Sequence, residues 1–239
     1  ESNKDETYFR ARLALLMKPA LSSMALRKKD ISDVTRRGLN PILAKNTQYM
    51  QKSSVSLVVN LVGLKEAVFN ILGFKDNKAG REILHKVIQT AVDVGAKKGK
   101  ELGDSVAICM TETDSATRFA TLDGQKYGKN STLNSMEGDS YSDKIIIDAS
   151  EVPNYTNKSD PISECNKFLK LFNGGLFVTL NINKDAKVPE IKKSIEQMSL
   201  LTPSFKPIKT IAICGECGFK DEPFENKCPK CKSPYVIWN

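Results

Sequence analysis

Four cysteines near one end of the sequence offer its most specific chemistry. Cys214-Gly-Glu-Cys217 and Cys228-Pro-Lys-Cys231 make a C-x2-C-x10-C-x2-C pattern. Two residues between cysteines let a tight turn aim both thiolates at one ion, and two such turns complete a tetrahedron. This donor set predicts zinc, with iron in a rubredoxin-like site as the alternative. Four protein ligands leave no open position, so the predicted role is structural and not catalytic. Gly218 follows the first pair, where such a knuckle calls for positive φ. Lys232 holds the matching place after the second pair.

A second group is Thr111-Glu112-Thr113-Asp114-Ser115-Ala116-Thr117-Arg118. It follows an apolar run at 105–110 that reads as a buried strand. A helix starting near Asp114 would turn its free N–H groups toward a phosphate, helped by Thr113, Ser115 and Thr117. Glu112 would accept a hydrogen bond from a sugar hydroxyl or act as a general base. The plainer reading is an ordinary helix start with Asp or Ser as the cap. His85, the single histidine, reads as a surface residue, and Cys109 and Cys165 as buried core cysteines.

The elements that must position these groups follow from periodicity. Residues 7–29 read as a helix on Phe9, Leu13, Leu16 and Met17, kinked or broken at Pro19. Residues 30–52 are polar and basic, with a turn at Asn40-Pro41. Val55, Leu57, Val59 and Leu61 alternate as a strand, and Gly63 then opens a short helix through Glu66, Val68 and Phe69. Residues 79–101 carry the clearest helical stripe, Ile83, Leu84, Val87, Ile88, Ala91 and Val94. The polar, aperiodic run 129–143 reads as an exposed loop, and 144–149 as a short strand. A helix follows Asp160-Pro161 with Ile162, Cys165, Phe168, Leu169 and Phe172 on one face, ending at Gly174-Gly175. A strand at 176–182, a helix lined by Val188, Ile191, Ile195 and Met198, and a strand from Ile208 to Ile213 complete the series. This alternation argues an α/β layer or barrel, with 214–239 as a separate small module.

Composition sets the limits. The 239 residues are 27% charged and 40% hydrophobic, which is a globular balance. No apolar run approaches the ~18 residues of a membrane span. The polar opening Glu1-Ser2-Asn3-Lys4-Asp5 is no signal peptide, and a first residue other than Met reads as a piece of something longer or a processed product. Six cysteines, four of them clustered, fit cytoplasmic usage with one metal site. The net charge of +8 sits unevenly: residues 1–52 hold 11 basic and 5 acidic side chains, whereas 214–239 hold 4 of each. A neutral ribbon is a poor phosphate binder, since such affinity needs cations. Arg27-Lys28-Lys29 and Arg36-Arg37 motivate an alternative, a basic zinc-ribbon protein that binds nucleic acid without catalysis; the plainer reading of those five is a solvated helix face.

Further landmarks run in order along nearly the whole chain. They are 55–69 with Gly63-Leu64-Lys65-Glu66-Ala67, then Arg118-Phe119-Ala120, Leu122-Asp123 and Lys126-Tyr127-Gly128. Pro153-Asn154-Tyr155-Thr156-Asn157-Lys158-Ser159, Gly174-Gly175, a Thr-Pro segment and the cysteine ribbon follow. In this order the chain resembles the C-terminal half of the catalytic subunit of anaerobic (class III) ribonucleotide reductase. The resemblance implies that 1–207 is part of a ten-stranded α/β barrel of the glycyl-radical-enzyme type and that 208–239 is a zinc ribbon. It implies reduction of ribonucleoside triphosphates to deoxyribonucleotides by glycyl and thiyl radical chemistry. Implied partners are a radical-SAM activating enzyme, the remainder of the catalytic subunit and, for the full enzyme, a second copy. The family's thiyl cysteine lies upstream of the matched region and its radical glycine downstream of the ribbon, so neither falls in this chain. The expected site residues are Glu112 as the catalytic group, Thr113, Ser115, Thr117 and Arg118 for substrate, and Cys214, Cys217, Cys228 and Cys231 for metal. The family's carboxylate stands five residues before the arginine, the place of Thr113 here; Glu112 stands six before it.

Overall fold

The helix at the start of the chain is longer than its periodicity suggests. In the computed structural model, α1 runs unbroken over Glu6–Arg36 with Pro19 inside it. The structure describes residues 5–39, 55–128, 140–156, 158, 160–183, 185–209, 211–221 and 227–238. The Asn40-Pro41 turn therefore lies outside the described residues, as does 129–139 of the expected loop. A proline inside a helix costs about 3 kcal/mol. Packing offsets this: Met17 and Leu21 are buried, and Arg10 Nε donates to Thr90 Oγ1 at 2.7 Å. Leu16, expected on the buried stripe, is exposed.

Two compact units divide the chain, Glu1–Asp143 with Phe168–Leu176, and Lys144–Lys167 with Phe177–Asn239. In the first, β1 (Leu57–Asn60) leads through a π-helical turn (Glu66–Ile71) into α2 (Lys78–Leu102), then β2 (Val106–Cys109) and α3 (Asp114–Tyr127). β1 and β2 pair in parallel from Leu57↔Val106 to Asn60↔Cys109, which requires the crossover that α2 supplies. α2 buries Ile83, Leu84, Val87, Ile88 and Ala91 as expected, but continues the face with Gly95 and Gly99 while Val94 is only half-buried. A Cβ on Gly95 would stand 3.1 Å from both Ile108 Cδ1 and Val106 Cγ1, so the glycines let the helix lie close on β2.

Residues 173–176 extend this sheet. Asn173 Oδ1 accepts from Ile108 N at 2.7 Å, Gly174 N donates to Ile108 O at 2.8 Å, and Leu176 bridges Met110 in parallel. A Cβ on Gly174 would stand 2.9 Å from Ile108 O, so this glycine serves a close backbone approach as well as a helix end.

In the second unit, β3 (Ile145–Asp148), β4 (Val178–Ile182) and β5 (Lys206–Lys209) form a parallel sheet in the order β3-β4-β5. Between them in sequence come α4 (Asp160–Leu171), which crosses from one unit to the other, and α5 (Val188–Leu201). α5 buries Ser194 and Met198, whereas Val188 in its first turn is 79% exposed. The expected strand from Ile208 to Ile213 is two strands in two sheets. Pro207 sits in β5, where an edge strand tolerates its missing N–H. β6 (Ala212–Cys214) pairs antiparallel with both β7 (Lys220–Asp221) and β8 (Val236–Trp238). The architecture is thus mixed α/β with small parallel sheets and a cysteine-bearing antiparallel end.

Candidate functional site

The four cysteines converge. Their Sγ atoms all lie within 4.8 Å of one another, with Cys214 to Cys231 at 3.5 Å and Cys217 to Cys228 at 3.6 Å. Four sulfurs at about 2.3 Å from one ion stand about 3.8 Å apart in a tetrahedron, so the donor set fits a metal such as zinc. Two matched knuckles build the cluster. Gly218 N donates to Cys214 O at 3.0 Å, and Lys232 N donates to Cys228 O at 2.9 Å. Gly218 takes φ 66 and Lys232 takes φ 61, the one positive-φ residue other than glycine among the described residues. The backbone N–H of Cys217, joined by that of Glu216, is aimed at Cys214 and draws its thiol down to about 7 despite burial. Such a thiol ionises readily for metal.

The second site begins where β1 and β2 end. α3 starts at Asp114, as the sequence predicts, but its cap is Thr113 and neither Asp nor Ser: Thr113 Oγ1 accepts from Ser115 N at 3.3 Å. Glu112 is exposed, Thr113 and Ser115 are half-buried, and Thr117 and Arg118 are exposed. Thr117 and Arg118 come together with Asp114, Thr121, Leu122 and Gln125 around an open depression of about 510 Å³. Glu112, Thr113 and Ser115 do not line it.

Three side chains that sequence reasoning did not select hold this segment. Asn60 pairs with the backbone of Thr111, its Nδ2 donating to the carbonyl at 2.8 Å and its Oδ1 accepting the N–H at 2.9 Å. Asp143 Oδ2 accepts from Thr113 N at 2.8 Å. Glu66, fully buried, accepts from Ser142 N at 3.0 Å and from Ser142 Oγ at 2.6 Å. Residues 141–143 are therefore buried, not part of an exposed loop, because Glu66, Gly63 and Thr113 satisfy their polar groups. Tyr141 OH donates to Asp123 at 2.8 Å; burial first, and then that carboxylate, push the phenol up to about 12 and keep it a donor. The sequence marks Glu66 only as part of the Gly63-Leu64-Lys65-Glu66-Ala67 landmark and as a charge between the apolar Leu64 and Val68.

Cys109 and Cys165 are buried, as expected. Burial pushes the Cys109 thiol up, and pushes that of Cys165 up to about 11. His85 is half-buried. Of the five cations behind the nucleic-acid alternative, Lys28 is buried, donating to Asp104 Oδ1 at 2.7 Å and to Val55 O at 2.5 Å. Arg36 pairs with Asp33 at 2.7 Å. The five do not make one free stripe, and that alternative is not favoured. No described helix is long and apolar enough to cross a membrane.

No protein-family model and no curated protein matches the sequence. Solved structures do match its fold. An anaerobic ribonucleotide reductase aligns with 100% of this chain and 38% of its own, at TM-score 0.70 and 20% identity. The anaerobic ribonucleotide reductase from Thermotoga maritima with dATP bound in the specificity site aligns at TM-score 0.69 and 18% identity, over 100% of this chain and 41% of that one. The same enzyme in complex with dATP and CTP gives TM-score 0.69 and 19% identity, over 100% and 40%. The fold along the whole chain is therefore one found in anaerobic ribonucleotide reductases, as the order of landmarks suggests, and the chain spans about two fifths of their length.

Proposed function

We propose that the chain is part of the catalytic subunit of an anaerobic ribonucleoside-triphosphate reductase. The observation that carries this reading is the fold likeness over the full chain. On this reading 1–207 contributes to a ten-stranded α/β barrel and 208–239 is a ribbon whose four cysteines hold zinc. The ion, closed off by thiolates, supplies a cross-link between the two knuckles. Glu112 accepts a proton or hydrogen bond from a ribose hydroxyl, while Thr113, Ser115, Thr117 and Arg118 meet the triphosphate. A solved neighbour carries dATP and CTP, which supports a nucleotide as ligand. The glycyl radical and thiyl cysteine are supplied from outside the 239 residues, and a radical-SAM activating enzyme, a second copy and a cytoplasmic setting complete the proposal.

The test uses the complete anaerobic enzyme containing this chain. Ser115→Ala with Thr117→Ala and Arg118→Ala is expected to weaken ribonucleoside-triphosphate binding by tenfold or more, about 1.4 kcal/mol. Unchanged affinity overturns the pocket. Turnover by the isolated 239-residue chain overturns the placement of both radical residues elsewhere.

A further inference from the structure

Glu112 stands between two backbone positions that are each fixed by a side chain from elsewhere in the sequence. On one side Asn60 closes a two-bond fork on Thr111, at 2.8 and 2.9 Å. On the other, the buried carboxylate of Asp143 takes the N–H of Thr113 at 2.8 Å. Asp143 is itself held through its neighbour: Ser142 gives both its N–H and its hydroxyl to Glu66, at 3.0 and 2.6 Å, and its carbonyl accepts from Gly63 N at 2.7 Å. Glu66 and Ser142 are both fully buried. Glu66 opens the π-helical turn, a helix form that is frequent at functional sites. A carboxyl group is buried at tolerable cost only where its oxygens are satisfied, as Ser142 does for Glu66 and Thr113 N for Asp143.

We propose that Asn60, Glu66 and Asp143 are positioning residues that hold Glu112 at the carboxyl end of the β1–β2 pair. This rests on the reading of Glu112 as a group that meets the ribose. The frame fixes the backbone on both sides of Glu112 and leaves its side chain at the surface. Displacement of a reacting group by about 1 Å costs up to about 100-fold in rate. Of the residues read as meeting the triphosphate, Ser115, Thr117 and Arg118 lie outside the frame and Thr113 lies at its edge, so loss of the frame lowers kcat mainly and moves KM less.

The experiment is a double-mutant cycle in the complete anaerobic enzyme. Glu112→Ala is expected to lower kcat about 100-fold. Asp143→Ala is expected to lower it about 10-fold with KM within about twofold, and to add less than about twofold when Glu112 is already Ala. Asp143→Asn keeps an oxygen for Thr113 N and is expected to restore kcat to within about threefold of wild type. Should Asp143→Ala fail to fold, Asn60→Ala reports the same coupling from the other side. If Glu112→Ala leaves turnover unchanged, the reading of the site falls and the frame falls with it. If Glu112→Ala lowers turnover but the frame variants cost nothing, or cost the same in both backgrounds, the frame alone is overturned.

Discussion

Lys232 carries a cost that its counterpart Gly218 does not. Both occupy the left-handed region, at φ 61 and 66. An L side chain there costs about 1–2 kcal/mol, whereas glycine accepts it freely at a smaller entropic cost. Lys232→Gly is therefore expected to stabilise the ribbon by about 0.5–1 kcal/mol, read as slower loss of metal to a chelator and a higher melting temperature. Cys165 supplies a second test. Its thiol is raised from 9.0 to about 11, first by burial. Below pH 9 both folded and unfolded states keep the proton. Between pH 9 and about 11 only the unfolded state releases it, so stability falls as pH rises through that window. Denaturation midpoints should drop there, and Cys165→Ala should flatten that part of the slope. The metal cysteines were legible because their chemistry is encoded in local spacing. Glu66 and Asp143 were not: their partners lie 76 and 30 positions away in sequence, and only the folded backbone brings them together.

Among the elements, α2 shows its apolar stripe plainly in the sequence and hides its approach to β2. A stripe of apolar side chains announces burial, but glycine contributes by lacking a side chain. Gly95 and Gly99 therefore leave no mark in the stripe, although they are the helix's approach to β2. The two differ in a testable way. Alanine gains about 1 kcal/mol over glycine in a helix. At Gly95 the new Cβ meets side-chain carbons at 3.1 Å, which shift slightly, so Gly95→Ala should be near neutral. At Gly99 it meets Asp104 O at 2.7 Å and Val106 Cγ2 at 3.0 Å. That backbone also carries Asp104, whose ion pair with Lys28 is buried on both sides, at 9% and 7% side-chain exposure. A buried charge that loses its partner costs about 3–5 kcal/mol, so even partial misalignment is expensive. Gly99→Ala should lower stability by about 1–3 kcal/mol, measured by urea denaturation beside Gly95→Ala. α1 shows the opposite error: local propensity marks Pro19 as a kink or break within a helix over 7–29, and tertiary packing on α2 carries the helix unbroken to Arg36.

For the molecule as a whole, the cysteine cluster and the core of the first unit are built from separate sets of residues. The four thiols that could hold an ion span Cys214–Cys231, within the second unit. The first unit has its own core in Met17, Leu21, Val87, Ile88, Ala91 and Ile108, and its described parallel pair is tied by Asn173 and Gly174. Nothing in that core depends on sulfur ligation. A structural zinc site contributes folding free energy outright, so removing the ion should unfold what it ties and spare what it does not. The strands β6–β8 are short, and small sheets of two or three residues per strand do not persist alone. Chelation is therefore expected to abolish amide protection in β6 and β8 while α2 and β2 keep theirs, measured by hydrogen exchange on metal-loaded and stripped protein. Loss of protection in α2 on chelation would mean that the two units unfold as one. Retention throughout would mean that the ribbon stands without metal, and the four cysteines would lose the role their geometry suggests.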